Sequence, residues 1–139
     1  GHSITKNRFH FLRFELPKSY QILEENGITK DYSMGYADNI GFRAGTSFPY
    51  YYFDLDKNEA SNLLVFPFAY MDSALKDYLK LALDKAKERV QHLMEEVHAV
   101  GGLFMCVWHN SSITNKGERE GWKDILDFTV NYSIQLSKK

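Results

Sequence analysis

The stretch Leu63-Leu64-Val65-Phe66-Pro67-Phe68-Ala69-Tyr70 decides the fold, because it is an apolar run without a polar face. A strand that is apolar on both sides is typical of a parallel sheet whose two faces are covered by helices. Pro67 has no N–H to give to a neighbouring strand, so it predicts a bulge or an edge position within the run. Similar runs alternate with amphipathic segments along the chain, which favours strand–helix units.

Three further strands and three helical regions complete the pattern. The predicted strands cover residues 8–14, 32–37, 63–70 and 103–108. Pro17 opens the first helix, which Gly27 ends. The second helical region follows Ser73 and is either one helix or two with a break near residue 81, and the last helix runs from about Glu118 to Leu136. We expect a long loop between residues 38 and 62. The predicted class is α/β, with about four mostly parallel strand–helix units.

Composition bounds the function before any motif is considered. The chain has 139 residues, 17 Lys and Arg against 18 Asp and Glu, and a net charge of -1, which argues against a nucleic-acid or anionic-membrane partner. Its hydrophobic content of 44% is sufficient for one folded core. A single cysteine, Cys106, excludes an internal disulfide framework. Neither a membrane-spanning run nor a signal peptide is visible, and the cellular location stays open.

The domain is expected to cover residues 4–139. Gly1-His2-Ser3 is interpreted as the remnant of a cleaved affinity tag.

Three polar residues follow predicted strands or lie in the loops after them: Arg43, Asp72 and His109. The carboxyl ends of parallel strands form one face of an α/β fold, so these residues could converge. An aspartate beside a histidine would orient the imidazole for acid catalysis. Simpler explanations remain: Asp72 or Ser73 could cap a helix, and Arg43 and His109 could each order a loop.

Several segments together resemble one family. They are residues 7–14, 32–37, 41–46 with Pro49 and 52–55, 71–72, and 108–111. The most specific are Gly35-Tyr36-Ala37 with Gly41-Phe42-Arg43-Ala44-Gly45-Thr46, and Trp108-His109-Asn110. In this order and spacing they resemble the polysaccharide deacetylase-like proteins, the NodB-homology superfamily of carbohydrate esterase family 4.

The resemblance implies a distorted (β/α)7 barrel and a metal-dependent removal of acetyl groups from acetylated sugars. It implies that His109 is the general acid, that Asp72 tunes it, and that Arg43 holds the aspartate acting as base. The family's Asp-Asp pair and its His-x-x-x-His motif are missing here, so no metal ligand is assigned to this chain. Zinc or another divalent metal is expected in the full-length domain.

We therefore interpret the chain as the C-terminal half of such a domain, inactive alone. Expected partners are carbohydrate, the missing N-terminal half of the barrel, and a second copy in a homodimer, because a half-barrel exposes a sheet edge. Tyr50, Tyr51 and Trp108 are the predicted substrate contacts, although the aromatic run at 48–53 more often packs a core or a lid. The alternative function is a non-catalytic carbohydrate-binding or assembly module.

Overall fold

The computed structural model describes residues 3–114 and 116–138, and it is a mixed α/β fold. Its strands are β1 (Lys6–Asn7), β2 (Lys30–Asp31), β3 (Tyr50–Asp54), β4 (Glu59–Val65), β5 (Tyr70–Met71) and β6 (Cys106–Val107). Its α-helices are α1 (Lys18–Glu25), α2 (Leu83–Ala99), α3 (Asn110–Ile113) and α4 (Trp122–Leu136). Shorter helical turns are the π-helical turn Ala74–Tyr78 and the 3-10 turns His10–Leu12 and Gly117–Arg119.

The strands form a four-stranded sheet in the order β1-β2-β4-β3 and a two-stranded sheet of β5 and β6. All pairings are parallel except that of β3 with β4. Between the two sheets, two backbone hydrogen bonds hold the connecting segment. Phe68 N–H donates to the Met34 carbonyl (3.0 Å), and Ala69 N–H donates to the Met105 carbonyl (2.7 Å). The predicted α/β class with mostly parallel strands is confirmed. Within the described residues the sheets do not close into a barrel.

The run that decided the class is divided in two. β4 begins at Glu59 and ends at Val65, and β5 begins only at Tyr70. Pro67, which is fully buried, lies between them. Because proline lacks an N–H, the ladder is interrupted there, and the second half of the run changes sheets.

The strands predicted over 8–14 and 32–37 are wrong in their placement, since β1 and β2 end at Asn7 and Asp31. The N–H of Phe9 donates to the Ser33 hydroxyl at 2.8 Å instead of to a strand carbonyl. The chain then turns through Phe11 (φ 57°) and Leu12 (φ 50°), a left-handed conformation that no strand adopts.

The loop expected over 38–62 holds a hairpin that sequence analysis missed. β3 pairs antiparallel with β4, with Tyr50 opposite Val65 and Asp54 opposite Glu59. The connection turns at Asn58, whose φ is 54°. Asparagine tolerates this conformation better than most residues, which explains its place in the turn.

The helices follow the sequence more closely. α1 begins directly after Pro17 and ends two residues before Gly27. Of the two alternatives for the region after Ser73, the structure shows two helical segments, with the break between Tyr78 and Leu83. α4 begins at Trp122, four residues after the predicted Glu118, because a 3-10 turn precedes it.

Three clusters of buried residues hold these elements together. The largest packs α2 and α4 against β5 and includes Tyr70, Leu75, Val90, Met94, Trp122 and Ile125. A second packs α1 against β4, and the smallest consists of Phe68, Met71 and Ala74. In the described part of the chain we find no helix with the length and apolar character that crossing a membrane requires.

Candidate functional site

Asp72 and His109 meet where β5 and β6 end. The register pairs Met71 with Val107, so Asp72, one residue after β5, and His109, two residues after β6, lie at the same edge. Asp72 Oδ1 lies 2.5 Å from His109 Nδ1, and Asp72 Oδ2 accepts the backbone N–H of His109 at 3.2 Å. Asp72 is fully buried, whereas the His109 side chain is 42% exposed. One carboxylate therefore fixes both the backbone and the ring of the histidine.

This geometry sets the tautomer of the ring. An ionised carboxylate can only accept hydrogen bonds, so Nδ1 of His109 must carry a proton. In neutral His109 the other ring nitrogen, Nε2, is then the free acceptor. Neither Asp72 nor Ser73 caps the π-helical turn with its side chain, so the simpler capping explanation does not hold.

His109 opens into a groove that consists of two adjoining cavities of about 480 and 360 Å³. The larger cavity lies over the Asp72–His109 pair. The two cavities share part of their lining, namely Phe11, Leu12, Ala37 and Tyr78. The volumes of both cavities fall within the usual range of small-molecule sites.

Two exposed aromatic rings line both cavities and were missed by sequence analysis. Phe11 is 76% exposed and Tyr78 is 60% exposed. Phe11 has a left-handed backbone, and Tyr78 ends the π-helical turn; both irregularities are frequent at functional sites. In the sequence, Phe11 belongs to an alternating run that predicts a strand, and Tyr78 lies in a region that predicts a helix. Neither pattern distinguishes a residue that lines a groove from one that packs in the core.

The groove has a fixed floor beneath Gly35. A Cβ atom at this position would lie 2.3 Å from the ring of Phe68, which is fully buried. Only glycine allows the backbone to approach the aromatic ring this closely.

Arg43 does not join the pair. It lines the smaller cavity, and its guanidinium lies 5.1 Å from the centre of the Phe14 ring. Burial raises the pKa of the neighbouring Tyr50, the negative charge of Asp31 adds to that rise, and Arg43 opposes it. The structure brings Asp72 and His109 together, and places Arg43 at the other end of the groove.

The predicted substrate contacts lie elsewhere in the molecule. Tyr50 packs against the core cluster beside α1, and Tyr51 is 62% exposed on β3. Trp108 is half-buried, and its indole N–H donates to the Tyr70 hydroxyl at 3.3 Å. Within the described part of the chain, none of these three side chains lines the groove.

The described residues offer no ligand set for the metal that the resemblance implies. Among residues 3–114 and 116–138 there is no group of three His, Cys, Asp or Glu side chains placed to hold a metal ion. A catalytic zinc site needs three such ligands. The residues present do not fit the metal, and we derive no step through it.

No family model, curated protein or solved structure matches this chain. The groove offers an imidazole that is oriented by a buried carboxylate, open to a ligand and flanked by aromatic faces.

Proposed function

We propose that this chain is the C-terminal part of a polysaccharide deacetylase-like hydrolase, in which His109 is the general acid. The observation that supports this most is the contact of 2.5 Å between Asp72 Oδ1 and His109 Nδ1 beside an open groove. The motif resemblance of Trp108-His109-Asn110 points to the same residue.

In this proposal water adds to the acetyl carbon, the bond from that carbon to the sugar nitrogen or oxygen breaks, and acetate is released. The protonated ring donates from Nε2 to the leaving nitrogen or oxygen. The carboxylate of Asp72 stabilises the imidazolium and keeps it aimed into the groove. The rings of Phe11 and Tyr78 supply apolar faces against which a sugar ring can pack. The groove thus holds the sugar while His109 delivers the proton.

We further propose that the fold is half of a (β/α)7 barrel and that the chain is inactive alone. The parallel pairings of β1, β2 and β4 and of β5 and β6 support the half-barrel.

The test is acetate release from an N-acetylated oligosaccharide in the presence of a divalent metal. The complete polypeptide encoded by the gene and this chain alone are assayed side by side. We expect activity only from the complete polypeptide, and a loss of about 100-fold or more in kcat for His109→Ala. His92→Ala, on the exposed face of α2, is the matched control and should leave kcat unchanged. Full activity of His109→Ala, or no acetate release from the complete polypeptide, would refute the proposal.

A second candidate is a non-catalytic carbohydrate-binding module. It is favoured by Tyr51 and Phe53, which are 62% and 47% exposed on β3, an edge strand of the sheet. Glycan binding that is lost in Tyr51→Ala and kept in His109→Ala would support this module over the hydrolase.

The open edges of the four-stranded sheet bear on assembly. β1 and β3 are the edge strands of the four-stranded sheet in the described residues, and an open edge can pair with another strand. We propose that one of these edges pairs with a second copy or with the N-terminal half of the barrel. Sedimentation of this chain at rising concentration tests the first partner, and a monomer throughout would exclude it.

A further inference from the structure

Besides His109, the larger cavity of the groove is lined by three further side chains that are cationic or carry an imidazole, and the proposed proton transfer uses none of them. Arg8, His10 and Arg119 line it together with His109, against one lining carboxylate, Asp77. The chain as a whole has a net charge of -1, so this concentration is local.

Arg119 is already engaged by the protein. Its Nη1 donates to the Ser112 hydroxyl at 2.5 Å, and its Nη2 donates to Asp77 at 3.3 Å. Asp77 also lies 3.5 Å from Lys76. The one lining carboxylate is thus neutralised by Arg119 and Lys76, and it does not offset Arg8.

Arg8 has no such partner. Its guanidinium makes no hydrogen bond, ion pair or ring contact with any residue in 3–114 or 116–138. Both neighbours of Arg8 are anchored, because Asn7 donates to Asp31 at 2.8 Å and Phe9 N–H donates to Ser33 at 2.8 Å. The backbone is therefore fixed while the charged side chain lines the cavity.

His10 lies on the same wall. Its ring packs edge-on against Phe11, with the ring centres 4.3 Å apart, and it lines the same cavity as Arg8 and His109. Both side chains carry N–H donors and both line this cavity, so an anion bound there has two possible donors. A guanidinium binds carboxylate and phosphate through two parallel hydrogen bonds.

We propose that Arg8 and His10 form an anion subsite beside His109, so that the groove takes an acylated sugar that carries a carboxylate or a phosphate. This inference rests on the proposed function and narrows its substrate class. Arg8 provides the main contact, His10 a second donor, and Phe11 the apolar face between the anion and the sugar ring.

The test is calorimetric titration of this chain with three N-acetylated disaccharides: a neutral one, one with a uronic acid, and one with a phosphate. We expect an anionic disaccharide to bind about tenfold more tightly than the neutral one, since a hydrogen bond to a charged group contributes on that order. The tighter of the two anionic ligands identifies the anion. Arg8→Ala should remove the preference, and Arg89→Ala, the same charge change on the exposed face of α2, should keep it.

The outcomes separate this inference from the proposed function. Equal binding of the neutral and anionic disaccharides would overturn the anion subsite and leave the deacetylase proposal standing. An anion preference that survives Arg8→Ala would overturn the assignment of Arg8. An anion preference lost in Arg8→Ala would support the subsite even if His109→Ala left acetate release unchanged, a result that refutes the hydrolase alone.

Discussion

Replacing Asp72 by asparagine should reverse the tautomer of His109. The two oxygens of Asp72 accept from the backbone N–H and from Nδ1 of the same histidine. Asparagine offers one oxygen and one NH2 group in their place. The backbone N–H can only donate, so the amide oxygen must face it, and the NH2 group is left facing Nδ1. His109 can meet that donor only by moving its own proton to Nε2.

The energies favour this arrangement. In the opposite orientation the amide NH2 would oppose the backbone N–H at a fully buried position, at a cost of about 1–3 kcal/mol for an unsatisfied donor. Even in the better orientation a charge-assisted bond becomes a neutral one, so we expect D72N to lower the free energy of unfolding by about 1–2 kcal/mol. Nε2 then faces the groove as a donor and cannot accept a proton.

The assay is long-range ¹H–¹⁵N NMR of the imidazole rings at about pH 9.5, above the usual titration range of histidine. Comparison with His109→Gln assigns the His109 signals, and the exposed His92 serves as the internal control. Wild-type His109 should show a protonated Nδ1, and D72N a protonated Nε2. A proton that stays on Nδ1 in D72N would refute the reasoning about Asp72, and so would a wild-type ring protonated on Nε2.

Two further predictions concern stability. Gly35→Ala should lower the free energy of unfolding by about 1–3 kcal/mol, because the new Cβ meets the buried Phe68 ring; chemical denaturation measures the loss, and a loss equally large in a Phe68→Leu background would show that the ring is not its cause. A hydrogen bond from Gln21 lowers the pKa of Asp54 below its usual 3.8, helped by the backbone N–H groups of Lys57 and Asp56, although burial opposes the shift. The fold thus favours the ionised carboxylate of Asp54. Its contribution to the free energy of unfolding is present above about pH 4 and is lost as the pH falls further. Asp54→Asn should be less stable than wild type at pH 7, and the difference should become smaller as the pH is lowered below about 4 in urea titrations; a difference that does not change with pH would contradict this assignment.

The pairing of Asp72 with His109 could be predicted because both follow apolar runs. The carboxyl ends of parallel strands share an edge, so sequence position alone implied a common location. The same logic failed for Arg43, which follows no strand; it lies in the segment between β2 and β3, where position in the chain does not fix direction.

The hairpin of β3 and β4 was missed because its aromatic run hides the alternation. Tyr50 and Tyr52 face the core while Tyr51 and Phe53 face outward, yet all four residues are aromatic. Period-two patterning needs a contrast between the two faces of a strand. The turn residue Asn58 was the signal that could have revealed it.

The groove walls were missed for a different reason. Arg8 and Phe11 belong to an alternating segment that is indistinguishable from a strand until the positive φ values of Phe11 and Leu12 are known. The π-helical turn that carries Tyr78 likewise has no sequence signature. Both features depend on tertiary contacts, so local patterns could not predict them.

The floor of the groove has a consequence for how this site can change over generations. Because a side chain at Gly35 collides with Phe68, a substitution at this position cannot be made without disturbing the core beneath the groove. Its rim is different: Arg8, Phe11 and Tyr78 are exposed, and replacing them removes little buried area. New ligand preferences can therefore arise by exchanging rim residues one at a time, with no change to Gly35 or to the Asp72–His109 pair.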